Sequence, residues 1–134
     1  MYFVQGKNGQ IVLQKNRITI KRKGAMSMLT QGVKGDKDIP FKSITGIEFK
    51  ASAGMTDGYI QFGILGAVES RRTAMDLYND ENTVMFNSSQ APNFITLKKY
   101  IDSVVDEEPL DFATLPLPKE GEQQSAMATS NTAG

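Results

Sequence analysis

The stretch GYIQFGI, residues 58–64, decides the fold class of this 134-residue chain. Its apolar side chains Ile60, Phe62 and Ile64 occupy every second position, and a glycine, Gly63, stands near its end. A period of two places alternate side chains on opposite faces of a β-strand, whereas a helix spaces them three or four apart. The stretch therefore predicts a strand over residues 59–64, after a turn that ends at Gly58, with one face on the core. Gly63 indicates a bulge or a close backbone approach.

Similar short runs lie on both sides of this strand. They are predicted at residues 2–4, 11–13, 17–23, 37–40, 43–50, 74–78 and 83–86, with turn-forming residues between them. The last two runs are expected to form a hairpin around residues 79–82. About seven short strands in succession predict a mainly β protein with antiparallel sheets.

One amphipathic helix follows the strands. Pro92 suits its first turn, because proline has no N–H to lose there. Four apolar side chains recur at helical spacing on one face: Phe94, Leu97, Ile101 and Val104. Burial of that face would make the helix an integral part of the fold.

The predicted architecture is a small barrel or sandwich of two antiparallel sheets capped by the C-terminal helix. We expect one domain over residues 1–106 and a polar tail over residues 107–134, disordered from residue 114 onward. This layout is more common among binding modules than among enzymes.

Composition excludes several kinds of site. The chain has no cysteine and no histidine, so it lacks the residues of disulfides and thiolate zinc sites and the commonest general base. We expect no enzyme activity and no cofactor. No run is long or apolar enough for a signal peptide or a membrane span, which favours a cytoplasmic location.

A cation site is also not expected. Oxygen-bearing residues cluster at Asp76, Asp80, Glu81 and Asn82, but their spacing matches no calcium-binding loop. A polar hairpin turn explains them without a metal.

Several motifs, in this order, resemble a bacterial and phage family of unknown function, the DUF4429 type. They are GxxG at residues 6–9, ITIKRKG at 18–24, GDKDIP at 35–40, SITGIEFK at 43–50, GYIQF at 58–62 and DENTVMF at 80–86. The resemblance covers roughly residues 6–105. It implies a PH-like fold, with two bent, near-orthogonal sheets capped by a C-terminal helix, and it brings no catalytic residues. The family's domain often stands beside a short SHOCT segment, and the tail of this chain has no such helical pattern.

The chain is neutral overall, but its charge is uneven. Up to Lys50 it holds ten basic and three acidic residues. Alternation along residues 17–23 places Arg17, Lys21 and Lys23 on one face, next to Lys15 in the preceding turn. Clustered cations of this kind can hold phosphate oxygens or an anionic membrane surface. The alternative is a solvated strand face whose lysines discourage aggregation, or one neutralised by the acidic half of the chain.

A second candidate surface lies on the predicted strand of residues 59–64. Tyr59 and Gln61 lie opposite its apolar face. If exposed, they suit a protein contact, because tyrosine offers a large area at a low entropic cost. The alternative is that the helix or a loop covers them.

These observations favour a non-catalytic, PH-like binding module that contacts a protein, either through an open strand edge or through the groove between helix and sheet. The family's occurrence in phage genomes suggests modulation of a host protein. Two alternatives stay open: peripheral binding of anionic lipid or phosphate ligands through the basic face, and homo-oligomeric assembly. Nucleic-acid binding has no support, since no aromatic residue interleaves the basic run.

Overall fold

The strands form two antiparallel sheets. The computed structural model describes residues 1–22, 36–65, 77–78 and 80–119. The first sheet contains, in spatial order, β1 (Tyr2–Gln5), β2 (Gly9–Leu13), β3 (Arg17–Arg22) and β4 (Lys37–Pro40). The second contains β5 (Ile44–Lys50), β6 (Gly58–Ile64) and β7 (Thr83–Phe86). A helix, α1 (Ala91–Val105), follows, and 3-10 turns lie at Phe41–Ser43 and Phe112–Thr114.

The predicted alternation of side chains is confirmed in these strands. Ile18 and Ile20 of β3 are buried, as are Ile60 and Phe62 of β6. The predicted strand at 74–78 is wrong where it is described, because Leu77 and Tyr78 are helical. Residues 74–76 lie outside the described residues, and β7 pairs with β6 instead.

The expectation of a closed barrel is not met within the described residues, where the two sheets remain separate ladders. Closure would need β1 to pair with β7. Instead the outer side of β1 is occupied by the end of the described chain: the Phe3 N–H donates to the Pro118 carbonyl at 2.8 Å, and Tyr2 bridges Lys119. A backbone hydrogen bond joins the two sheets at the β1–β2 turn, where the Lys7 N–H donates to the carbonyl of Met85 at 2.7 Å.

The helix covers the core between the sheets. Pro92 lies in its first turn, as predicted. Phe94, Leu97 and Ile101 are fully buried, and Val104 packs partly buried against them. Tyr100, which the apolar spacing did not single out, is buried as well.

The chain beyond the helix also contributes to the core. Phe112 packs against Tyr2, with ring centroids 4.9 Å apart, and against Tyr100 at 5.5 Å. Leu117 is buried. The packed part of the chain therefore extends past the predicted boundary at residue 106, up to Lys119.

Candidate functional site

An unpaired strand edge is the most open feature of the described chain. We call residues 44–51 the β5 edge. Among the described strands, β6 lies between β5 and β7, and no described strand pairs with the other side of β5. Thr45, Gly46, Lys50 and Ala51 along it are exposed.

The register shows which backbone groups of this edge point outward. The Phe62 N–H of β6 donates to the carbonyl of Asn82 at 2.9 Å, on the β7 side. Backbone direction alternates along a strand, so the neighbouring Gln61 directs its groups to β5, where it pairs with Glu48. By the same alternation Ile47 and Phe49 direct theirs away from β6. No other described segment bonds to these outward groups.

A bulge divides the β5 edge into two halves. Ile44 pairs with Ile64 and Gly46 with Gly63, so that Thr45 is the extra residue. A bulge bends its strand and increases its twist, which discourages pairing with another strand at that point. The regular half of the edge therefore begins at Gly46. The bulge indicated by Gly63 in the sequence exists, but it lies on the opposite strand.

Within the described residues, no neighbouring atom requires a glycine at Gly46, beside the bulge. A Cβ at Gly46 would meet no atom within 4 Å. By contrast, a Cβ at Gly58 would lie 2.4 Å from the Lys50 carbonyl oxygen. Glycine weakens a strand unless something approaches it closely, and around Gly46 that space is open.

Two exposed apolar side chains lie at opposite ends of β5. Met55, at the tip of the β5–β6 hairpin, is 101% exposed, and Leu65 is 82% exposed. The hairpin is a two-residue turn that requires glycine at Gly54, where φ is +58°. Leu65 is held beside the start of β5, because its N–H donates to the carbonyl of Ser43 at 3.2 Å.

Two of the basic residues predicted to bind anions, Arg17 and Lys21, lie beside carboxylates. On the outer face of β3, Arg17 forms an ion pair with Asp38 at 2.5 Å. Lys21 lies 4.0 Å from Asp36. The pairing of β3 with β4 brings these acids alongside, so the face carries little net charge.

The four predicted cations also do not form one cluster. Lys15 lies in the β2–β3 turn and Lys21 near the far end of β3, six residues on, which is about 20 Å along an extended strand. Lys23 lies outside the described residues.

The two residues predicted for a protein contact differ in exposure. Gln61 is 1% exposed, and its amide donates to Asp80 Oδ2 at 2.6 Å and to Thr83 Oγ1 at 2.9 Å. Tyr59 is half-buried, and its hydroxyl donates to Glu48 Oε2. The turn before β7 thus covers part of this face of β6, and Gln61 is not accessible to a partner.

Sequence reasoning missed the role of Arg22, which falls on the opposite face from Arg17 and Lys21. Its guanidinium donates to the carbonyls of Asp80 at 2.8 Å and Thr83 at 3.0 Å, tying β3 to the start of β7. Burial lowers the pKa of this guanidinium below its usual value, an effect opposed by Asp80 and Glu81. The sequence evidence for this separate role was the alternation of side chains, which places Arg22 on the opposite face from its basic neighbours.

A second tie between the sheets is ionic. Lys7 Nζ lies 2.8 Å from Asp57 Oδ2, which also accepts a hydrogen bond from the Tyr78 hydroxyl at 3.1 Å. The bond to Asp57 raises the pKa of the Lys7 ammonium, and the same bond lowers the pKa of the Asp57 carboxyl. Both groups are thus stabilised in their charged forms.

A cleft of about 400 Å³ opens between α1 and the β2–β3 turn. Tyr100, Val104 and Pro109 line it on the helix side, and residues 14–16 line it on the sheet side. The Tyr100 hydroxyl donates to the carbonyl of Lys15 at 2.7 Å, and burial raises the pKa of this phenol. The cleft has an apolar wall and one flexible cation at its rim.

Among the described residues no group of three or more acidic side chains is placed to hold a metal ion. Both carboxylate oxygens of Asp80 accept hydrogen bonds, Oδ1 from the Asn82 N–H at 3.0 Å and Oδ2 from Gln61 and Thr83. This is the geometry of a turn that precedes a strand. Within the same residues, no helix has both the length and the apolar character needed to cross a bilayer.

Comparison with known proteins gives one match. Residues 12–102 match the family model described as Domain of unknown function (DUF4429). The match extends from the end of β2 into α1, so it includes β3 to β7 and most of the helix, whereas β1 lies outside it. Neither the curated proteins nor the solved structures contain a match to this chain.

Proposed function

We propose that this chain, which belongs to the DUF4429 family, is a non-catalytic binding module that accepts a strand of a protein partner at its β5 edge. The two antiparallel sheets followed by one C-terminal helix are compatible with the PH-like fold that the sequence motifs imply, and that assignment is part of the proposal. The composition, which lacks histidine and cysteine, gives an enzymatic alternative little support.

The outward backbone groups of Ile47 and Phe49 carry this proposal. An added strand would satisfy their N–H and C=O groups and extend the second sheet, which is how β-augmentation gains affinity. The half-buried side chains of the same two residues lie against the core. An incoming strand would therefore also shield apolar surface at the rim of the core.

A single substitution blocks the edge without removing an apolar side chain. Ala51 is exposed directly after β5, at the end of the β5 edge, and no described backbone carbonyl accepts a hydrogen bond from its N–H. Ala51→Pro removes that donor and places a ring where the partner strand would lie. Ala51→Ser keeps the donor and serves as the matched control.

The test is capture of partners from cells of the native host by the tagged wild type and the two variants, followed by mass spectrometry. We expect a stoichiometric protein with the wild type and Ala51→Ser, and its loss with Ala51→Pro. Equal capture by all three proteins would place the contact on another surface, for which the cleft beside Tyr100 is the next candidate.

The anionic-ligand alternative is less favoured by the charges around β3. The carboxylates of Asp36 and Asp38 would repel the same phosphate groups that Arg17 and Lys21 attract. Lys15, at the rim of the cleft, stands apart from both.

A further inference from the structure

We propose that the strand accepted at the β5 edge is the β5 edge of a second copy of this chain, paired antiparallel about a twofold axis through Phe49. This inference rests on the proposed function and names its partner. The second sheets of the two copies would join into one continuous six-stranded sheet, an isologous arrangement typical of twofold dimers.

Backbone direction limits the registers that two such edges can adopt. Outward groups must face outward groups, so the axis passes through a residue and not between two. An axis through Lys50 would set two lysines directly opposite each other, which leaves Ile47, Glu48 or Phe49. An axis through Glu48 sets two carboxylates directly opposite each other, which is destabilising. An axis through Ile47 carries the pairing across the bulge at Thr45, where the edge is bent.

The axis through Phe49 avoids both problems. It pairs the regular half of the edge with itself, opposing Gly46 to Ser52 and Ile47 to Ala51 of the second copy. About six backbone hydrogen bonds would form between the outward groups of residues 47, 49 and 51. The open space beside Gly46 would then be filled by the neighbouring backbone.

Charge complementarity selects the same register. Glu48 of each copy lies opposite Lys50 of the other, in a pair without direct backbone hydrogen bonds, where Cα atoms approach to about 4.5 Å. Both side chains lie on the outer face of the sheet, since the inner face carries Ile47 and Phe49. The twofold axis generates this pair twice.

The exposed apolar ends of β5 support antiparallel pairing of two copies. The hairpin tip of one copy, with Met55, extends past the bulge toward the start of β5 in the other, where Leu65 is held. The two most exposed large apolar side chains of the described chain are thereby brought to the same end of the interface.

A charge swap tests this register. Glu48→Lys alone places two pairs of lysines in opposition, and Lys50→Glu alone places two pairs of carboxylates in opposition. The double variant Glu48→Lys/Lys50→Glu restores both attractive pairs with reversed sign. An equimolar mixture of the two single variants also restores them, but only between unlike chains.

Sedimentation equilibrium over a concentration series measures the association. We expect the wild-type mass to rise from one chain to two, and each single variant to lose about tenfold or more in association constant. The double variant and the mixture should regain it to within about threefold. Lys99→Glu, an exposed reversal on α1, should leave it unchanged. Circular dichroism melting confirms that each variant is folded.

A wild type that stays at one chain up to about 1 mM, where even weak self-association is detected, overturns the inference. A dimer that neither single reversal weakens also overturns it, because the contact is then elsewhere. In both cases the proposed function is judged separately. The proposed function stands if Ala51→Pro abolishes the capture of a different protein, and it fails if Ala51→Pro leaves the set of captured proteins unchanged.

Discussion

At the scale of single residues, Tyr100 couples the helix to the β2–β3 turn. Its ring is buried between Phe41 and Phe112, and its hydroxyl reaches the Lys15 carbonyl at 2.7 Å. The phenol has to stay neutral to donate this bond. Desolvation raises its pKa above the ordinary value of 10.0, with a smaller contribution from Tyr2.

This pKa shift predicts a loss of stability at alkaline pH. The folded phenol keeps its proton to higher pH than the unfolded one, so its contribution is complete below pH 10 and is lost as pH rises toward the folded pKa. Tyr100→Phe should lower the unfolding free energy at pH 7 by about 1 kcal/mol and flatten its fall between pH 9 and 11. Urea unfolding at each pH measures this. A Tyr100→Phe slope equal to that of the wild type would contradict the assignment.

Two glycines, Gly46 and Gly58, show which steric constraints the sequence does not determine at the scale of single residues. Gly46 lies within β5 and Gly58 begins β6, and nothing in their sequence context tells which of them is sterically required. In the fold, Gly58 has backbone and the Phe86 ring within 2.6 Å of a Cβ position, whereas Gly46 faces open space. The steric constraint at Gly58 comes from strands that pair in the tertiary structure. The local sequence pattern contains no information about that pairing.

At the scale of elements, the segment after α1 acts as part of the core and not as a tail. Phe112 fills the gap between Tyr2 and Tyr100, Leu117 is buried, and the Pro118 carbonyl accepts the Phe3 N–H. These contacts involve single apolar residues among polar ones. No periodicity marks such a segment.

Truncation separates this segment from the rest of the tail. Deleting residues 109–134 should lower the unfolding free energy by about 2–4 kcal/mol, because Phe112 and Leu117 leave the core. Deleting residues 120–134 should change it by no more than about 0.5 kcal/mol, since none of these contacts is lost. Urea unfolding of the two truncated chains and the full chain measures the difference. Equal stability of all three chains would show that the segment does not hold the core.

The strands and the helix were predictable from the periodic spacing of their side chains, whereas the segments that pack over them were not. The strands and α1 follow from side-chain spacing, which the burial of Ile60, Phe62 and Phe94 confirms. The sequence left open whether Gln61 is exposed or covered, and the turn at residues 80–83 covers it. Which polar face is covered depends on where a distant turn packs, and spacing within one strand carries no information about that.

At the scale of the whole molecule, the uneven charge of the sequence is largely resolved by pairing. The basic first half meets acids both within itself, at Asp36 and Asp38, and across the sheets, where Lys7 meets Asp57 and Lys37 lies 3.6 Å from Glu81. Exposed pairs of this kind contribute little to stability. Their main effect is to reduce the field that an anionic surface would encounter.

Vesicle binding tests this cancellation. We expect the wild type to sediment no better with phosphatidylserine vesicles than with neutral ones at 0.15 M salt, because carboxylates oppose the cations of β3. Asp36→Asn/Asp38→Asn should raise binding to the anionic vesicles by about tenfold, since each uncovered charge contributes about 1 kcal/mol near the surface. Glu107→Gln/Glu108→Gln, exposed after α1, makes the same change in net charge and should raise binding much less. Strong, salt-sensitive binding of the wild type that Arg17→Glu/Lys21→Glu removes would instead establish the β3 face as an anion site.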